Sequence, residues 1–146
     1  MTSHLQTLRF RMNEKYEKLV GIATKTIIDR LDKEKHTVGC CVLTKSGKVF
    51  TGVNMYMDGM NCVCAEQNAI GTALTEGEKE FEAIVSIGLF DEKCEILAPC
   101  GQCRQFLNKY APDVNVIVKG DKGTEVLKIS DLLPYAYKLH HDTCHD

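Results

Sequence analysis

Apolar residues along this chain follow two rhythms, one spaced by three and four and one of short unbroken runs, and their alternation outlines a fold. Tyr16, Leu19, Val20, Ala23, Ile27 and Leu31 share one helical face, which predicts a first helix over residues 12–31. Two β-rich runs follow at 37–43 and 49–53, separated by the polar turn Lys45-Ser46-Gly47-Lys48, the pattern of a hairpin. A second helix is predicted to begin close to Cys64, with Ala65, Ala69, Ile70, Ala73 and Leu74 facing one way and Gly77 just past its end. Residues 83–89 form a nearly continuous apolar run, expected of a central strand covered on both faces.

Pro99 suits the first turn of a third helix, since its missing N–H would be unpaired there, and Cys103, Phe106, Leu107 and Tyr110 supply that helix with a stripe. A strand at 114–118, a turn at Gly120-Asp121-Lys122-Gly123 and a short strand at 125–128 complete the pattern. Ser130 is placed to cap a last short helix, closed by Leu132-Leu133-Pro134. Strand–helix–strand connections favour right-handed crossovers between parallel neighbours. The expectation is a single α/β domain over 1–146, with a mixed five-stranded sheet covered by helices on both faces.

Charge narrows the choice of partner. The net charge of −2, with Lys and Arg interleaved among acidic residues, provides no basic patch for nucleic acid. No apolar run approaches the roughly 18 residues of a membrane span, and Met1-Thr2-Ser3-His4-Leu5 lacks the layout of a signal peptide. A cytoplasmic, reducing setting is therefore expected, in which eight cysteines serve as metal ligands or free thiols rather than disulfides.

Four residues carry the chemistry. Cys64-Ala65-Glu66 and, farther on, Pro99-Cys100-Gly101-Gln102-Cys103 place three thiols and a carboxylate at two predicted helix starts. Catalytic zinc takes three protein ligands and leaves a position for water. A helix amino terminus favours the thiolate that binds it. Glu66, two residues after Cys64, reaches the water without being a ligand. A fourth thiolate from Cys62 would instead close the site and make it a structural zinc module, but Cys62 precedes the expected helix. Cys40 and Cys41, adjacent in a strand, should point to opposite faces of the core. Cys94 is expected in a loop, and the tail His140-His141-Asp142-Thr143-Cys144-His145 reads as a polar terminus.

The motif of a ligand, one residue and Glu, followed by Pro-Cys-x-x-Cys, is that of zinc deaminases. From about Val49 to Tyr137 the chain resembles the cytidine deaminase superfamily, in its three-cysteine, small-molecule branch. Phe50-Thr51-Gly52-Val53-Asn54, Cys64-Ala65-Glu66, Pro99-Cys100-Gly101-Gln102-Cys103-Arg104-Gln105 and Leu132-Leu133-Pro134 occur in that family's order. The resemblance implies a three-layer α/β/α fold, a Zn2+ cofactor and hydrolytic deamination of the cytosine ring of a free nucleoside. It also implies a small-molecule substrate and assembly as a homotetramer. Glu66 would be the proton shuttle. Phe50 would pack on the pyrimidine, Asn54 would bond a sugar hydroxyl, and the Ala65 N–H would hold the base oxygen. Tyr137 would close a neighbouring subunit's pocket, although Tyr135 and Tyr137 also suit a packing role, and Asn54 also suits a turn.

Two departures bear on the substrate. Cytidine deaminases have Asn-x-Glu where this chain has Asn54-Met55-Tyr56, and often Arg where it has Gln67. Both changes resemble the blasticidin-S deaminase branch, which brings Tyr56 into the substrate-binding set and a blasticidin-S-type nucleoside into consideration beside cytidine and deoxycytidine. Three thiolates around a dication leave excess negative charge, for which Arg104 and the helix amides are the expected partners.

Overall fold

The computed structural model describes residues 12–139; the histidine-rich tail lies outside them. Helix α1 spans Glu14–Arg30. Its start is set by Asn13, whose Oδ1 accepts the Tyr16 N–H at 2.8 Å. The hairpin strands β1 (Val38–Thr44) and β2 (Val49–Val53) follow, turning at Gly47 with φ +93°. Helix α2 (Ala65–Thr75), strand β5 (Phe81–Phe90), helix α3 (Gly101–Tyr110) and strands β7 (Asn115–Gly120) and β8 (Gly123–Lys128) complete the predicted order. Between them lie β3 (Met55–Met57), β4 (Met60–Val63) and β6 (Lys93–Leu97).

The sheet order is β2-β1-β5-β7-β8, with a parallel pair at β5/β7 and antiparallel pairs elsewhere, so the mixed sheet is as expected along this path. The strand count is not: β6 is a sixth strand, pairing antiparallel with the second half of β5 from Ser86 to Phe90. It follows a two-residue turn in which Asp91 and Glu92 both take positive φ, at 49° and 64°. Without a glycine the turn has no sequence signal, and Cys94 consequently lies in a strand rather than a loop. The separate β3/β4 hairpin was also missed, although Asp58-Gly59, with φ of 48° and 83°, is a recognised hairpin turn.

Helices cover both faces. Tyr16, Leu19, Ala23 and Ile27 of α1 pack on Cys41, Leu43, Ala83, Val85 and Ile87. On the other face Ala65, Ala69, Ile70 and Ala73 of α2 and Leu107 of α3 pack with Cys40, Val42, Ile84 and Val116. Cys40 and Cys41 thus enter opposite cores, as strand alternation requires. Burial pushes the Cys41 thiol up to about 12, so it remains a neutral, apolar filler. Residues 83–88 are all buried, as expected of the central strand.

Near the carboxy terminus, Ile129–Leu132 forms a 3-10 turn rather than a helix opened by Ser130. Lys128 is the capping position, because the Asp131 carboxylate accepts its N–H at 3.1 Å and Ser130 falls inside the turn. Leu133 ends it immediately before Pro134, as expected. Among the described residues no helix is long and apolar enough to cross a membrane.

Gly52 decides how α2 sits. A methyl group there would lie 2.5 Å from the Ala69 amide nitrogen and 2.8 Å from the Ala65 carbonyl oxygen. Only a residue without Cβ lets the first turns of α2 lie this close to β2. Asn68 fastens the contact by donating from Nδ2 to the Val53 carbonyl at 3.1 Å. Replacing Gly52 with Ala is expected to lower stability by about 1–3 kcal/mol through overpacking, read from thermal or denaturant unfolding. Unchanged stability would show that α2 shifts freely on the sheet.

Candidate active site

Two helix starts meet on one face of the sheet, and a cysteine caps each. Cys64 precedes α2 with φ −75° and ψ 151°, and Cys100 precedes α3 with φ −66° and ψ 170°. Their carbonyls accept the first helical bonds, from Asn68 at 3.1 Å and Arg104 at 2.9 Å. Cys103 lies in the first turn of α3 and is fully buried. Pro99 therefore stands one residue before the cap rather than inside the helix, because Cys100 takes the extended cap conformation.

Cys64, Cys100 and Cys103 form one cluster, with ligand atoms within 4.8 Å of one another. Cys64 Sγ and Cys100 Sγ are 3.7 Å apart. Thiolates held at about 2.3 Å from a tetrahedral zinc are about 3.8 Å from each other, so the spacing fits that ion. Soft sulfur donors in this number suit zinc as well. Cys62 lies outside the cluster, exposed on β4. With three protein donors among the described residues, a tetrahedral ion here would keep one position for a further ligand.

Without a cation Cys64 and Cys103 resist ionisation. Burial raises the Cys103 thiol far above the ordinary thiol range, with the Glu66 charge and the neighbouring Cys64 adding to it. Burial likewise raises Cys64, opposed in part by its contact with Cys103. A metal must therefore displace protons to bind.

Glu66 lies in the first turn of α2, 8% exposed, with Oε2 3.5 Å from Cys103 Sγ. Ala65, 1% exposed, opens the helix, so its N–H is among the donors that no intrahelical carbonyl accepts. Gln67, at the position where Arg was noted as absent, caps the helix: its Oε1 accepts the Cys64 N–H at 3.2 Å.

Arg104 does not reach the sulfurs through its hydrogen bonds. Its Nε donates to the Pro99 carbonyl at 2.8 Å and its Nη1 to the Leu132 carbonyl at 3.1 Å, which ties the start of α3 to the carboxy-terminal turn. A side-chain amide that does reach a ligand belongs to Asn61 of β4, whose Nδ2 lies 3.2 Å from Cys64 Sγ. Sequence reasoning missed it because it depends on the hairpin opened by Asp58-Gly59.

Of the residues expected to bind substrate, Ala65 lies beside Cys64, and the others have partners of their own. Asn54 is buried, and its Oδ1 accepts from the N–H groups of Thr37 and Val38 at 2.8 and 2.9 Å. Its Nδ2 donates to Thr37 Oγ1 at 3.3 Å, and its carbonyl lies 2.8 Å from His36 Nδ1. Asn54 is thus a clamp between the end of β2 and the start of β1, with its amide oxygen fully used. The Tyr56 hydroxyl meets the same Thr37 Oγ1 at 3.0 Å. Thr37 and Tyr56 also line an open cavity of about 700 Å³, together with Lys33, Lys35 and Asp58. Phe50 is not gathered into the cysteine cluster; it pairs with Val42 and packs on the apolar core under α2. Tyr135 and Tyr137 are exposed rather than packed in the core, and Gln105 donates to the Tyr137 carbonyl at 3.0 Å.

Residues 13–119 match the cytidine and deoxycytidylate deaminase zinc-binding region. The chain is 33% identical over 135 residues to the blasticidin-S deaminase of Bacillus cereus, covering 88% of this chain and 96% of that protein. It is 39% identical over 98 residues to a probable cytidine deaminase of Dictyostelium discoideum, covering 66% of this chain and 65% of that one. Its fold matches a cytidine deaminase from Burkholderia pseudomallei with a TM-score of 0.68 and 30% identity, over 86% of this chain and all of that structure.

Since Cys64 and Cys103 are protonated when metal-free, zinc binding near neutral pH is expected to release protons, and affinity should rise with pH as protons compete less. Calorimetric titration of the metal-free protein with zinc, in buffers of different ionisation enthalpy, measures that release. A binding heat independent of buffer would show that the thiols are ionised beforehand.

Proposed function

The chain belongs to the cytidine and deoxycytidylate deaminase family, and from that premise we propose that it hydrolyses the amine from the cytosine ring of a free nucleoside, with Glu66 as the proton carrier. One observation carries this reading: a buried carboxylate lies against a three-sulfur cluster that has no fourth ligand among the described residues. A structural zinc module would have closed the cluster with Cys62, which stands apart from it.

When bound, zinc supplies the Lewis acidity that makes water nucleophilic at neutral pH. Glu66 accepts a proton from that water and passes it to the ring nitrogen, so that the neighbouring amine-bearing carbon becomes electrophilic. The water oxygen bonds to that carbon. Glu66 then moves the second water proton to the amine, the carbon–nitrogen bond breaks, and ammonia leaves with the ring as a carbonyl. Burial keeps the carboxylate on this short path and away from bulk water. Ala65 would hold the base oxygen through its N–H, a reading supported by its position at the positive end of α2.

Cytidine and deoxycytidine are the first substrates to consider. A blasticidin-S-type nucleoside is the second reading, and Tyr56 and Gln67 favour it. Tyr56 replaces the acidic residue that would hold ribose and instead lines a cavity that also carries Lys33, Lys35 and Asp58. Mixed charges at that wall suit a nucleoside whose sugar bears charged substituents. Asn54, its oxygen committed to Thr37 and Val38, has an amide N–H as its remaining polar offer to a sugar hydroxyl. We also propose self-association as a homotetramer, supported by the exposure of Tyr137, Met57 and Met60.

Glu66→Gln is expected to lower kcat by about 10²–10⁴-fold while zinc content stays at that of the parent protein, with ammonia release and metal analysis as the two readouts. Activity that survives the substitution would remove Glu66 from the mechanism. A deamination panel of cytidine, deoxycytidine and blasticidin S is expected to show turnover of at least one. Failure of all three by fully zinc-loaded protein would overturn the nucleoside reading. Sedimentation velocity should give a species near four times the chain mass; a monomer at assay concentration would exclude a cross-subunit role for Tyr137.

A further inference from the structure

We propose that Asn61 is the side-chain donor that offsets the charge of the sulfur cluster, by giving a hydrogen bond to the Cys64 thiolate. Three thiolates around a dication carry more negative charge than the ion removes, and donors outside the ligand set are what tune such a site. Of the expected donors, the helix amides act from the backbone, and the one expected side chain, Arg104, is engaged elsewhere. Gln67 offers an oxygen, not a cation, and spends it on the Cys64 N–H. The Arg104 guanidinium donates to the carbonyls of Pro99 and Leu132. Asn61 Nδ2 stands 3.2 Å from Cys64 Sγ.

The orientation of the amide follows from charge. Turned the other way, its oxygen would face a negative sulfur, a repulsive contact, so the N–H side is the one that meets the thiolate. The position is held by the hairpin. Asn61 pairs across it with Tyr56. Tyr56 is fixed at its N–H by the Lys35 carbonyl at 3.1 Å and at its hydroxyl by Thr37 at 3.0 Å. A two-stranded hairpin has little stability of its own, and these two bonds fasten it to the domain. The amide is therefore delivered to the sulfur by a supported strand rather than by a free loop. Asn61 itself is exposed, so replacing it removes no core packing.

The inference concerns the metal site and not the substrate, so deamination assays do not bear on it. Zinc affinity is measured by competition with a chromophoric chelator, and cobalt-substituted protein is used to read the thiolate-to-metal charge-transfer band. Asn61→Ala is expected to weaken zinc binding about tenfold, the low end for loss of such a partner, and to move the cobalt band to lower energy as the sulfur becomes more electron-rich. Asn61→Asp, of the same shape but without N–H donors, should weaken binding further. Cys62→Ser, on the neighbouring exposed position, should change neither quantity. Thermal unfolding of the metal-free variants establishes that each is folded, and the band position is read per bound cobalt. Parent-like affinity and band position in both Asn61 variants would overturn the proposal. So would an equal effect of Cys62→Ser, since the strand and not the amide would then be responsible.

Discussion

Three sulfurs packed within 4.8 Å of one another, two of them buried, are the constraint to which the rest of the molecule answers. As thiols they are compatible with a core; as thiolates they repel, and desolvation resists their ionisation. A dication reconciles the two demands, and its binding free energy becomes part of the stability of this region. Two helices seated on one sheet bring the sulfurs together, with Cys64 and Cys100 at their starts.

The seating is local and physical. Gly52 lets α2 approach β2 at backbone distance, and Asn68 ties the helix to the end of that strand. Arg104 ties the first turn of α3 to the segment that ends at Leu132. Cys64 and Cys100 then fall at cap positions, where helix dipoles and free N–H groups favour negative charge. The same geometry leaves Glu66 in the first turn of α2, against Cys103 and under cover.

Much of this was legible in the chain. Helical and strand periodicities located three helices and five strands of the sheet path, and the spacing of Cys64, Glu66, Cys100 and Cys103 specified the cluster. What was not legible has several causes. Strand β6 follows a turn whose two residues, Asp91 and Glu92, adopt positive φ without glycine, so no local rule marks it. The β3/β4 hairpin is short and largely exposed, and its apolar pattern is too brief to announce a strand. The partners of Asn54, expected at a sugar hydroxyl or in a turn, came only with packing: its oxygen serves two backbone N–H groups about sixteen residues away in the chain. Phe50, expected to pack on the pyrimidine, lies on β2 opposite Val42 and packs against the core that includes Ala65 of α2.

Half of each motif is short-range: Cys-x-x-Cys and Cys-x-Glu set their geometry within single helix turns, and the packing of α2 against the same sheet face as α3 joins them. The sequence by itself therefore determined the ligands, the accompanying carboxylate and the class of fold that carries them. The surroundings of that centre came only with tertiary structure, which brought Asn61 to Cys64, turned Arg104 toward carbonyls, gave Gln67 a capping role and set Tyr56 beside a cavity. These relations join residues on separate elements, and their partners depend on how strands register and helices seat. A hydrogen bond selects by distance in space, and only packing converts distance along the chain into that.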